Sequence, residues 1–199
     1  DATGPERWEF AVGTKFWKEF TFGGRKVETR LLWKTSPDRW TAASYVWDEN
    51  GTAARLAPAH GIVSTIEVAP GRRHTIPSRQ DCAACHGGRR EPLGFNPLQL
   101  SVDRDPNAIH GEALTEQMLT VHTLIAKGLV SSVDDTLRQP ARIMASTPQT
   151  RAVLGYMSTN CGSCHDGRGQ ISALIPSLRY SDVMTDGDAV ARSLVRAPS

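Results

Sequence analysis

Cys82-Ala83-Ala84-Cys85-His86 and Cys161-Gly162-Ser163-Cys164-His165 together use every cysteine in the chain. Each places two thiols three positions apart with a histidine directly after the second. Thiols at that spacing reach the two vinyl groups on one edge of a porphyrin, and the histidine then lies under the ring with its imidazole aimed at the iron. C-x-x-C-H is read on this ground as a haem attachment signature. Neutral imidazole suits iron, and one axial histidine is the usual proximal ligand. Two haem c groups are therefore expected, held by Cys82, Cys85, Cys161 and Cys164, with His86 and His165 as proximal iron ligands.

Other readings of the cysteines fare worse. A zinc site drawing on both pairs would have to bridge the whole stretch from His86 to Asn160, far beyond ordinary zinc-ribbon spacing, and would leave the repeated histidine unexplained. A thioredoxin-like pair needs a βαβ context that the pattern lacks. A disulfide scaffold of this length would be denser in cysteine.

Outside the motifs the chain divides in two. All five Trp and four of the five Phe fall within the first 47 residues. Thr41 to Trp47 is rich in aromatic and β-branched residues, and Asn50-Gly51 suits a tight hairpin turn. Ile62, Ser64, Ile66 and Val68 alternate with other residues ahead of a Pro70-Gly71 turn. Residues 1–77 are expected to form a small antiparallel β unit, its tryptophans packed in the core or forming an aromatic docking surface. Residues 78–199 are expected to be mainly helical and loop-rich, which makes the fold class α+β. The clearest helix is expected from Glu112 to Lys127, where Leu114, Met118, Val121, Ile125 and Leu129 share one face and Gly128 follows as a stop. A second is expected to start with Thr147 as N-cap and Pro148 at the first helical position, running to about Asn160 and straight into Cys161. A weaker last helix is expected over Asp188 to Arg196.

Charge excludes little but is informative. With 23 Lys and Arg against 21 Asp and Glu, the chain has no broad basic face for nucleic acid. No apolar run is long enough to span a membrane. Export to the bacterial periplasm or beyond, with a signal peptide removed ahead of Asp1, is expected because haem c is attached on that side of the inner membrane.

The second motif, preceded by a helix and followed by Gly167, Gly169 and Ile175-Pro176-Ser177-Leu178, resembles the first half of a class I cytochrome c. The resemblance implies that the carbonyl of Ile175 or Pro176 supports the proximal histidine. The distal Met and closing C-terminal helix of that family have no clear counterpart before Ser199. Val27-Glu28-Thr29-Arg30-Leu31-Leu32, Ala43-Ser44-Tyr45-Val46-Trp47, Ile76-Pro77-Ser78-Arg79 and Leu93-Gly94-Phe95 through Gln99-Leu100 are similar to a group of exported dihaem cytochromes with a β-rich N-terminal part. This likeness implies two haems and export; the two motifs and the change of pattern after Pro77 make 78–199 the expected dihaem cytochrome c domain.

The sixth iron ligands are drawn from the spare histidines and methionines. His74 and His110 lead, the first because it can fold back toward Cys82, the second because it lies in a polar loop. His122 and Met184 rank next, and His60, Met118, Met144 and Met157 trail. The function expected is electron transfer between periplasmic or extracellular redox partners. The alternatives are a haem enzyme such as a dihaem peroxidase, with Glu112 beside His110 recruited as an acid–base group, or a docking module that presents haem to a partner enzyme.

Overall fold

In β1 (Lys15–Phe22) the aromatic residues Phe16, Phe20 and Phe22 are half-buried, while Lys15, Trp17, Glu19 and Thr21 are exposed. That alternation is the signature of a strand with one covered face. In the computed structural model β1 pairs antiparallel with β2 (Arg25–Ser36), β2 with β3 (Arg39–Trp47), and β3 with the short β4 (Ala54–Leu56). The structure describes residues 8–86, 92, 95–103, 113–131, 133, 135–167 and 177–196. His110, Glu112, Ile175 and Pro176 lie outside them.

Register sets the inward face. Phe16, Leu32 and Ala42 form one cross-strand row, Lys18, Arg30 and Ser44 the next, and Phe20, Glu28 and Val46 a third. A separate hairpin, β5 (Ile62–Ala69) with β6 (Arg72–Ile76), turns at Pro70-Gly71 with Gly71 at φ +71°. That is the conformation a type II turn requires of its third residue. Val46, Ala57 and Ile76 are buried together, with Ile62 and Ile66 against them. Helix α1 (Arg79–His86) follows and packs against β3. The chain divides into two compact units, one of Glu9–Leu93 and one of Gly94–Ser199 with Asp1–Trp8, so the first C-x-x-C-H motif belongs to the sheet-bearing unit.

The second unit is built on α2 (Val121–Ala126), α3 (Asp135–Arg138), α4 (Pro148–Cys161) and α5 (Tyr180–Arg196). Ile143, Leu154 and Val183 form its core, flanked by Leu98, Ala145, Val190, Ala191 and Leu194. The class is mixed α+β, with antiparallel sheets and five helices among the described residues.

Four expectations need correction. Helix α2 begins at Val121, not near Glu112. Thr120 is extended (φ −124°, ψ 165°) and its N–H bonds to Thr123 Oγ1, a capping box that starts the helix there. Of the residues expected on the apolar face, Val121 is buried within the shorter helix, while Leu114 upstream and Leu129 downstream remain 38% and 66% exposed. The stop at Gly128 is as expected, at φ +65°.

The Asn50-Gly51 turn is wider than a two-residue hairpin. Asp48 accepts from the Thr52 and Ala53 backbone N–H groups and from the Thr52 hydroxyl, spreading the loop from Asp48 to Ala53. The last helix is longer than expected and bends at Asp186 (φ −152°, ψ 84°), whose carboxylate accepts from Ala189 N–H and caps the second half. The tryptophans of the sheet are only partly core: Trp40 and Trp47 are half-buried, Trp40 against Phe16, while Trp17 is 57% exposed and Trp33 39%. Lysine ammonium groups sit over the rings, Lys15 5.0 Å from Trp33 and Lys26 4.8 Å from Trp47.

Candidate functional site

The first motif is helical because its N-terminus is capped. Ser78 Oγ accepts from Asp81 N–H at 3.1 Å, and the Asp81 carboxylate accepts from Ser78 N–H at 2.9 Å and from its hydroxyl at 2.7 Å. These bonds hold the Asp81 carboxyl below its ordinary value. Arg79 N–H bonds to Ala59 O and anchors the start of the helix to the loop after β4. Cys82 is a half-buried free thiol. Burial raises its pKa, the Arg30 charge opposes this, and Glu28 and Asp81 reinforce it. The helix includes Cys85, whose side chain is outside the description, and ends on His86.

Burial lowers the His86 pKa, and the cations Arg30 and Lys18 lower it further. The neutral imidazole, the form that binds a metal, is thereby favoured. Its Nδ1 is buried with no hydrogen-bond partner.

The second motif starts on the last residue of α4. Thr147 caps that helix by accepting from Thr150 N–H at 3.1 Å, and Pro148 occupies the first turn, as the sequence predicts. Beyond Cys161 the backbone tightens: Cys164 N–H and His165 N–H both bond to Cys161 O, at 3.0 and 2.8 Å. Leu178, fully buried, returns across the motif and its N–H bonds to His165 O at 2.8 Å. Cys161 and Cys164 are free thiols, and Nδ1 of His165, like that of His86, is buried without a partner among the described residues.

The other sequence-predicted ligands fall as follows. His74, on β6, is 14% exposed and places Nε2 2.8 Å from Glu28 Oε2. Its ring packs near Phe20 and Phe22, 5.7 and 5.2 Å away by centroids. His122, on α2, donates from Nε2 to the Arg138 carbonyl at 3.1 Å, and its Nδ1 is buried and unpartnered. Met184 is half-buried on α5 beside Val183, and Met118 and Met157 are half-buried too, while His60 and Met144 are exposed. His110 lies outside the described residues. Among those residues, no group of three or more His, Cys, Asp and Glu is placed to hold a metal ion.

Sequence reading missed Glu28 as a site residue. It is fully buried in β2, with Arg30 Nε at 2.7 Å from Oε1 and Arg30 Nη2 at 3.0 Å from Oε2. Burial alone would raise its pKa; the bonds from Arg30 and His74 outweigh this and hold it low. Alternation along β2 gave no signal for its burial, since the adjacent Val27 is buried as well, and nothing signalled its partner His74 on a distant hairpin.

No family model, curated protein or solved structure matches the chain. Among the described residues no helix is long and apolar enough to cross a membrane.

Proposed function

We propose that the chain is a dihaem c-type cytochrome that passes electrons between redox partners in the bacterial periplasm or outside the cell. The observation that carries this is the repeated C-x-x-C-H unit, set at the same kind of place in both compact units: on or at the end of a helix, with free thiols and a histidine whose Nδ1 is sealed from water. Cys82 and Cys85 would hold one haem and Cys161 and Cys164 the other, with His86 and His165 on the irons. Haem supplies one-electron chemistry at iron.

The residues of the chain fix and tune that group. In an imidazole that ligates iron through Nε2 the hydrogen would sit on Nδ1 and call for an acceptor; among the described residues His86 and His165 show none. At His86 burial and the charges of Arg30 and Lys18 favour the neutral imidazole. At the second motif the turn bonded to Cys161 O and the overlying Leu178 hold His165 in place.

Intact mass after expression with a haem c maturation system tests this reading. Two haem masses above the polypeptide are expected, with Cys82→Ala and Cys161→Ala each disturbing one covalent attachment. A single haem in the wild-type protein, or zinc by elemental analysis, would end it.

A further inference from the structure

We infer that Glu28 is a positioning residue for the first haem site, its buried carboxylate holding His74 so that Nδ1 is the ring atom offered to iron. The inference rests on the dihaem reading and goes further by naming one sixth ligand, the atom it uses and the residue that orients it.

A carboxylate taken out of water is costly unless its oxygens are matched. Glu28, with no exposed surface, has Arg30 on both oxygens and His74 Nε2 on one of them at 2.8 Å. A carboxylate only accepts, so Nε2 carries the hydrogen, and in the neutral imidazole the lone pair then resides on Nδ1. The tautomer is thus set by a residue 46 positions away in sequence. Phe20 and Phe22 fix the ring plane from the strand beside Glu28.

The remaining histidines are less suited. The ring nitrogens that are buried and unpartnered are those of His86, His122 and His165; Nδ1 of His74 is not among them. His122 has already committed Nε2 to a backbone carbonyl. Among the described spare histidines, His74 is the one whose Nε2 meets a buried carboxylate and whose ring packs near two phenylalanines.

Placement agrees. Glu28 pairs with Val46 and Arg30 with Ser44 on β3, the strand that α1, the helix carrying Cys82, contacts. A carboxylate behind a ligating imidazole is the common outer-shell arrangement, and it raises the basicity of the ligand.

The test uses the holoprotein with His74→Ala and Glu28→Gln, read by electron paramagnetic resonance, optical spectra and potentiometry. His74→Ala should turn one haem from low-spin to high-spin, with added imidazole restoring it and the other haem unmoved. Glu28→Gln should keep that haem low-spin but shift its g values and raise its midpoint potential, because a neutral amide is the weaker acceptor. If His74→Ala leaves both irons low-spin, or Glu28→Gln lowers stability with g values unchanged, Glu28 is a structural ion-pair residue and the inference fails. Should His74→Ala not accumulate, the g values of Glu28→Gln decide alone. Haem count by mass separates this from failure of the dihaem reading: two haems with unmoved spectra sink only the role of Glu28, and a wild-type protein without haem sinks both.

Discussion

Gly162 and Leu178 approach so closely that a Cβ on Gly162 would lie 2.5 Å from the Leu178 carbonyl oxygen, and equally close to that of Ser158. Gly162 has ordinary helical dihedrals (φ −61°, ψ −24°), so the need for glycine here is space and not conformation. It sits between the two thiols of the second motif, where the returning chain crosses the end of α4.

Gly162→Ala should therefore cost about 1–3 kcal/mol through overpacking against backbone that cannot rotate away. Haem loading at the second motif should fall, with the first motif unaffected. Gly155→Ala is the control: its new Cβ meets only Ile143 Cγ1 at 4.0 Å. That change removes a glycine from the interior of α4 and should stabilise by about 0.5–1 kcal/mol. Denaturant midpoints and intact mass check both, and equal effects from the two variants would contradict the close approach.

Acid stability should depend on Glu28. Its folded carboxyl titrates below the ordinary glutamate value because the bonds from Arg30 and His74 outweigh burial. Its contribution is therefore complete above the unfolded value of about 4.3, and is lost as pH falls through the lower folded value. Unfolding free energy measured from pH 7 down to 3 should drop on this limb. Glu28→Gln should cost about 1–3 kcal/mol at neutral pH and flatten the limb. An unchanged acid limb in the variant would show that other carboxylates carry it.

Thr147→Ala should loosen the helix that leads into the second motif. The hydroxyl accepts from Thr150 N–H, and its loss should cost about 1 kcal/mol. Hydrogen exchange should quicken at Thr150 and the first turn of α4. Protection at Gly162, whose N–H bonds to Ser158 O, should stay as it was. Uniform loss along α4 would mean that the cap matters less than the core around Leu154.

What could be read from sequence follows the range of the interactions. The start of α4 was legible because Thr147 and Pro148 act within one turn. The same logic was available at Ser78-Arg79-Gln80-Asp81, a capping pattern ahead of the first motif. The helix expected from Glu112 formed only from Val121, because periodicity records what can be buried, not what finds a partner, and Leu114 stays exposed. The tryptophans misled in part for a related reason: a two-faced sheet can carry a large ring outside, as Trp33 is under Lys15, while Trp40 and Trp47 are half-buried. The motif spacings needed no tertiary information. The Glu28–His74 bond needed all of it, since strand pairing and hairpin placement decide which residues meet.

If the chain is the electron carrier proposed, both irons should be six-coordinate and low-spin in the oxidised wild-type protein, because a filled sixth position limits rearrangement on electron transfer and shuts out peroxide. Peroxide consumption with a reduced donor should accordingly be slow. His122→Ala supplies an internal check. Its Nε2 is bonded to the Arg138 carbonyl and its Nδ1 is buried. Replacement should cost about 1 kcal/mol for the lost hydrogen bond and leave both spin states as they were. A wild-type protein with one high-spin haem and rapid peroxide turnover would reverse the assignment to a dihaem peroxidase, since that chemistry needs an open iron beside an acid–base group. High-spin iron without turnover would leave electron transfer standing but show that the chain does not fill one sixth site. A high-spin signal appearing only in His122→Ala would instead mean that the bond to Arg138 is exchanged for iron when haem is bound.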